Sequence, residues 1–211
     1  PPNSTPLPMR AFLPQQSNSR LSDIFNVLKI KQFAIYQSGH FISNIGFWML
    51  RIVIGWEVWL LSKSEAWLGI LAFSELVPSI IMGFIGGAIA DRMPIIKFLF
   101  LGKILVTSVI LTLTFTIFFR IHSIESVIFF MFIIGSISGL ILPARLASTS
   151  FLVPTGSLSA ALAVNSTAFN LSRFIGPALA ALILIFFKTF VVLVIVCFTS
   201  VSYTHLRAHE T

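Results

Sequence analysis

The sequence predicts an all-α integral membrane protein that crosses a lipid bilayer several times. Apolar residues make up 56% of the chain, and mean hydropathy is +0.97. Charged residues are only 10% of 211, against roughly a quarter in an ordinary soluble domain, too few to cover a soluble surface. The apolar residues also run in blocks of bilayer-spanning length.

Residues 1–20 are rich in Pro, Ser and Asn. With the short stretch after them they make a segment, 1–31, expected to be disordered and cytoplasmic. It lacks the apolar core of a signal peptide. Because the chain opens on Pro1, either Met9 is the start or the N-terminus is incomplete.

The membrane unit is expected over 32–201, with five full spans near 33–61, 67–90, 97–119, 127–146 and 160–187. A partial sixth, near 189–201, is too short in apolar residues to cross. There the chain changes within a helical pattern to Ser202-Tyr-Thr-His-Leu-Arg-Ala-His-Glu-Thr211. The abrupt change suggests a non-native tail; a natural polar terminus is the alternative. Small residues four apart, Gly83 with Gly87, Gly135 with Gly139, and the stripe Ser172, Gly176, Ala180, mark faces where helices approach closely.

Charge sets the orientation. With the N-terminus inside, inner segments carry Arg10, Arg20, Lys29, Lys31, Arg92, Lys97 and Lys103, and outer loops carry Lys63, Arg120 and Lys188. Seven against three predicts a cytoplasmic N-terminus. The net charge of +7 does not indicate nucleic acid as a partner, because its cations are scattered singly between apolar blocks. Cys197 is the single cysteine and sits in an apolar run as a filler.

Enzyme signatures are missing from the sequence. It has no phosphate-binding loop and no His-Glu-x-x-His helix, and Gly135-Ser-Ile-Ser-Gly139 has Ile where a hydrolase elbow needs its nucleophile. His40 and His122 fall near opposite faces, so no metal site is expected.

Charges inside the spans are the stronger signal, since each needs a partner or a water-filled cavity in hydrocarbon. Arg51 and Glu57 lie six residues apart, about 120° around a helix, so they face different neighbours. Glu57 is alternatively hydrated at the outer interface. Glu75 sits deeper in the second span, and Arg173 lies near the middle of the fifth. Asn165 and Asn170 either line a polar path or bond between helices.

Two stretches carry a family resemblance. Gly87-Ala-Ile-Ala-Asp91-Arg92, at the inner end of the second span, resembles the major facilitator superfamily signature Gly-x-x-x-Asp-Arg-x-Gly-Arg-Arg/Lys between helices two and three. Here Pro94, Ile95 and Ile96 stand at the last three positions, with Lys97 one place late. The second stretch is Leu142-Pro143-Ala-Arg145 and Phe151-Leu-Val-Pro154, followed by Leu158, Ala160-Ala161, Asn165, Ser172-Arg173 and Gly176-Pro177-Ala178-Leu179. It resembles the helix-four to helix-five region of the enterobactin-exporter-like and macrolide-efflux-like branch. Gly176-Pro177 is similar to the helix-five signature of antiporters, with Ala180 and Ala181 where further glycines are usual. Together the resemblance covers about 32–187.

It implies the six-helix N-terminal half, sixth helix truncated, of a twelve-helix transporter in the bacterial plasma (inner) membrane, with the C-terminal half missing. It further implies alternating access and proton-driven efflux of a small amphipathic molecule such as a drug or siderophore. No cofactor is expected beyond the ion gradient. Partners are the bilayer, the small-molecule substrate and the C-terminal half. Asp91 and Arg145 are expected to pair as an inner gate alongside Gly87 and Arg92, and Glu75 or Glu57 to carry the coupling proton. The rival readings are a non-transporting assembly partner or channel subunit, and a membrane-embedded enzyme.

Overall fold

The computed structural model describes the backbone over residues 18–208 and side chains over residues 23–200. Seven α-helices follow in order: α1 Asn18–Leu28, α2 Lys31–Ser62, α3 Glu65–Ala90, α4 Ile95–Phe118, α5 Ile124–Ser148, α6 Leu158–Phe186 and α7 Thr189–Ala208. Two short 3-10 turns, Thr149–Phe151 and Thr155–Ser157, link α5 to α6. Helices α2 to α6 are each long and apolar enough to cross a membrane, and among the described residues α7 contributes a shorter apolar stretch, Thr189–Ser200. At about 1.5 Å per residue, the 32 residues of α2 reach well beyond a 30 Å hydrocarbon layer.

Two expectations at the chain ends change. The segment expected to be disordered over 1–31 contains α1; residues 1–17 lie outside the described residues. Its Ile24 and Val27, three apart on one helix face, pack with Phe33 of α2, Val153 before α6, and Ala160 and Ala161 of α6. Apolar burial outweighs a composition that reads as polar. At the other end the backbone stays helical through the expected break, as far as Ala208. Side chains of the tail 202–211 lie outside the described residues.

The bundle closes around one main core: Met49, Leu50, Val53 and Ile54 of α2, Leu113 of α4, Met131 and Ile134 of α5, and Leu193 and Val196 of α7. Cys197 belongs to this core. α3 packs on α5, α6 on α2, and α7 sits between α2 and α4. The two flanking helices α3 and α6 are the least covered: 17% of their most apolar windows are buried, against 39% in α2, α4 and α5. Phe84 of α3 and Phe174 of α6 stand almost fully exposed.

Glycines bring α3 and α5 backbone to backbone. A Cβ on Gly135 would lie against the carbonyl of Glu75, one on Gly139 against that of Ser79, and one on Gly86 against that of Leu140. The expected small pair of α3 is therefore displaced by one position. Gly87 faces open space and Gly83 makes only an ordinary contact, while Gly86 carries the close approach. On the opposite side Gly176 lies against Trp48 and the Ile45 carbonyl, and Ser172 Oγ donates to Phe41 O at 3.3 Å, so the stripe of α6 seats on α2.

Candidate functional site

One stripe of α2 builds the site. His40, Asn44, Phe47 and Arg51 recur at spacings of four, three and four, which places them on one helical face. Their neighbours complete a cavity of about 340 Å³ between the spans, lined by Ser43, Asn44, Phe47 and Arg51 of α2 and Glu75 and Ser79 of α3. Lys103 of α4, Ser138 and Arg145 of α5, Phe169 of α6 and Ser200 of α7 form its remaining polar and aromatic wall. A second cavity, of about 310 Å³, shares Leu142, Arg145 and Phe169 with the first and adds His40, Asn165 and Asn170. The two cavities adjoin at Leu142, Arg145 and Phe169.

An ion pair crosses the first cavity. Arg51 Nε donates to Glu75 Oε2 at 3.0 Å, with the carboxylate side chain 11% exposed and the guanidinium 35%. The Arg51 guanidinium also lies 5.2 Å from the Trp48 ring and 5.6 Å from the Phe47 ring. Gly135 sets the position of this carboxylate, because its missing side chain lets the Glu75 backbone sit against α5. Nearby, Lys103 Nζ donates to Ser43 Oγ at 2.7 Å and His40 Nδ1 lies 3.1 Å from Asn44 Nδ2. Tyr36 and Ser148 bridge α2 and α5 through their hydroxyls at 2.7 Å.

The remaining predicted residues fall in several places. Glu57 is buried rather than hydrated at the interface, and its Oε1 lies 2.9 Å from His122 Nε2 in the α4–α5 connection. Arg173 is exposed on α6 with its guanidinium 5.3 Å from the Trp48 ring. Asn165 turns a buried Oδ1, without a hydrogen-bond partner, toward the second cavity. Gly176 packs against α2, and Pro177 follows it inside α6.

The expected Asp91–Arg145 pair is not formed. Between described residues, Arg51 pairs with Glu75 and His122 lies in hydrogen-bond contact with Glu57. Asp91 caps α3 from the surface and Arg92 is exposed beside it. On α5, Ile141 and Ala144 take the stripe that packs with Ile89, Ala90 and Phe98. Arg145 is one residue further, about 100° around, and turns into the cavities. Lys103, expected as an inner flank, likewise points into the cavity, leaving six inner cations against three.

Three residues that contact the predicted ones or line the cavity were given no site role from sequence: Lys103, Trp48 and His122. Lys103 falls six residues inside a predicted span, which is itself a signal. Trp48 lies between Asn44 and Arg51 on the polar side of α2. His122 had no local signal, because its partner is 65 residues away.

A multi-pass helical membrane protein with an ion-paired cavity between its spans is the class that this fold and site define. The family model described as transmembrane secretion effector, within the major facilitator superfamily, matches residues 22–207, and the chain belongs to that family. Over 150 residues it is 30% identical to the staphyloferrin A transporter of Staphylococcus aureus (strain NCTC 8325 / PS 47). That match covers 70% of this chain and spans 37% of the relative's length.

Proposed function

We propose that this chain is the N-terminal half of a proton-coupled exporter of small amphipathic molecules, in the bacterial inner membrane with its N-terminus in the cytoplasm. The Arg51–Glu75 pair in the cavity wall carries the reading. A carboxylate that shares its cavity with cargo and is held by one guanidinium has two states. Ionised, it ties α3 to α2; protonated, it releases Arg51. Proton uptake from one side then alternates with cargo binding, and the helical half rocks against its partner half as a body. Glu57, tied to His122 at the opposite end of α2 from α1, is the second carboxylate for the same role. The sparsely covered faces of α3 and α6 leave room for the other half. The staphyloferrin A transporter supports a siderophore as the first cargo to try.

The test uses vesicles carrying the protein expressed from its complete reading frame, with staphyloferrin A or ethidium as cargo. An imposed proton gradient should drive cargo movement, and Glu75→Gln should remove that dependence, by roughly a hundredfold in rate if a general proton carrier is lost. Unchanged coupling in both Glu75→Gln and Glu57→Gln would remove protonation at these residues from the mechanism. Gradient-independent movement in the wild type would remove proton coupling altogether.

A further inference from the structure

A third hollow lies at the α1 end of the bundle. It is an open groove of about 460 Å³ between Ile24 and Leu28 of α1, Ala34 and Phe41 of α2, and Val164 and Leu171 of α6. It belongs to neither cavity of the candidate site. On α6, Ser172 faces α2. Phe169 stands about 60° to one side of Ser172 and Thr167 about 140° to the other, so the cavities and the groove open on opposite flanks of the α2–α6 contact.

The groove has the depth of a lipid chain. It follows α2 from Ala34 to Phe41 and α6 from Val164 to Leu171, about 10 Å along each. That is about two thirds of one leaflet in a roughly 30 Å hydrocarbon layer.

α1 closes the groove and lies at the membrane surface, because only Lys29 and Ile30 separate it from the spanning helix α2. Its apolar arc runs from Val27, buried in the core, through Ile24 and Leu28 at the groove, to Phe25, which is 64% exposed. Asp23 and Asn26 are exposed on its other side. An amphipathic helix held at the end of a span, with an apolar edge left open, lies in the interface plane. Two exposed cations flank the groove in the chain: Lys29 follows Leu28, and Lys31 stands three residues before Ala34. The whole segment before α2 is basic, with Arg10, Arg20 and Lys29 against Asp23, and Lys31 opens α2 itself.

We propose that this groove binds an anionic phospholipid of the leaflet on the α1 side, with one acyl chain between α2 and α6 and the headgroup phosphate beside Lys29 and Lys31. Cations just beside a span draw anionic headgroups, and the groove supplies the apolar seat for the chain. The site requires a membrane protein but neither proton coupling nor any particular cargo, so it stands or falls separately from the transport proposal.

The test uses the full-length protein purified in detergent. It is mixed with equal amounts of phosphatidylglycerol, an anion, and phosphatidylcholine, a zwitterion, of identical chains. Native mass spectrometry reads how much of each stays bound. Phosphatidylglycerol should be retained over phosphatidylcholine by roughly tenfold. The double variant Lys29→Gln with Lys31→Gln should lose most of that preference and still hold phosphatidylcholine. Thr167→Trp puts a ring into the groove from an exposed position and should weaken both lipids alike. Should it fail to fold, Ser38→Phe, also exposed at the groove, gives the same readout from α2. Equal retention of the two lipids, or a preference unchanged in the lysine variant, overturns the proposal. So does lipid retention that the groove variants leave unchanged. Retention that appears only after residues 1–17 are removed also overturns it, and gives the groove to the chain's own N-terminal segment.

Discussion

At the scale of single residues, Arg51 and Glu57 show how far spacing can be read. Six residues on a helix put them about 120° apart, which excludes a direct pair and implies two separate partners. The partners themselves, Glu75 and His122, depend on how neighbouring helices are rotated, and that information is not local. Both members of the Glu57–His122 contact are nearly buried, with side chains 11% and 8% exposed. Removing one member leaves the other desolvated without its bond. His122→Ala should lower stability by about 1–3 kcal/mol, read as a lower thermal midpoint in detergent. Glu57→Gln keeps an acceptor oxygen at the same place and should lose less. Equal losses in the two variants would mean that charge, not the hydrogen bond, holds this contact.

At the scale of elements, the six helical stretches were legible as apolar blocks with ends within a few residues of those observed, except at the C-terminal end of α7. Which face of each helix turns inward was not legible, because lipid-facing and bundle-facing surfaces are both apolar. The glycines of α3 illustrate the difficulty. Gly83 and Gly87 have the right spacing for a contact face, yet Gly86 carries the approach, since the choice depends on the rotation of α3 against α5. A paired substitution separates the two. Gly135→Ala drives a methyl group into the Glu75 backbone and should lower stability by about 1–3 kcal/mol, with a parallel loss of transport as Glu75 moves from Arg51. Gly87→Ala enters open space and should be neutral or slightly stabilising. At the turn after α4, Arg120 holds a left-handed φ of 56°. Arg120→Gly should therefore stabilise the protein by about 1 kcal/mol of relieved backbone strain, read as a higher thermal midpoint.

At the scale of the whole molecule, hydropathy sets the number of crossings and positive charge their direction. The direction has a direct check. Native Cys197 is buried, so cysteines introduced at Arg92 and Arg120 would dominate labelling by a membrane-impermeant maleimide. Intact cells should label Arg120→Cys and spare Arg92→Cys; the reverse pattern would invert the orientation. The inner gate was the part of the site least legible from sequence. Asp91 and Arg145 end neighbouring helices on the same side, but the apolar stripe of α5 claims the face toward α3 and turns Arg145 into the cavity.

If the chain is half of an exporter, as proposed, the glycine seam between α3 and α5 bears on how its cargo range can change. Along that seam backbone meets backbone, so no side chain there can be trimmed to widen the cavity, and any addition pushes the wall out of register. The lining side chains are different: Phe47 of α2, Ser79 of α3, Ser138 of α5 and Phe169 of α6 are groups that a single substitution can shorten, lengthen or recharge. Under the proposed function, selectivity is therefore adjusted through the side chains that line the cavity and not through the seam glycines. Variants selected to accept a bulkier or differently charged molecule should accumulate changes at those lining side chains, while Gly86, Gly135 and Gly139 stay glycine.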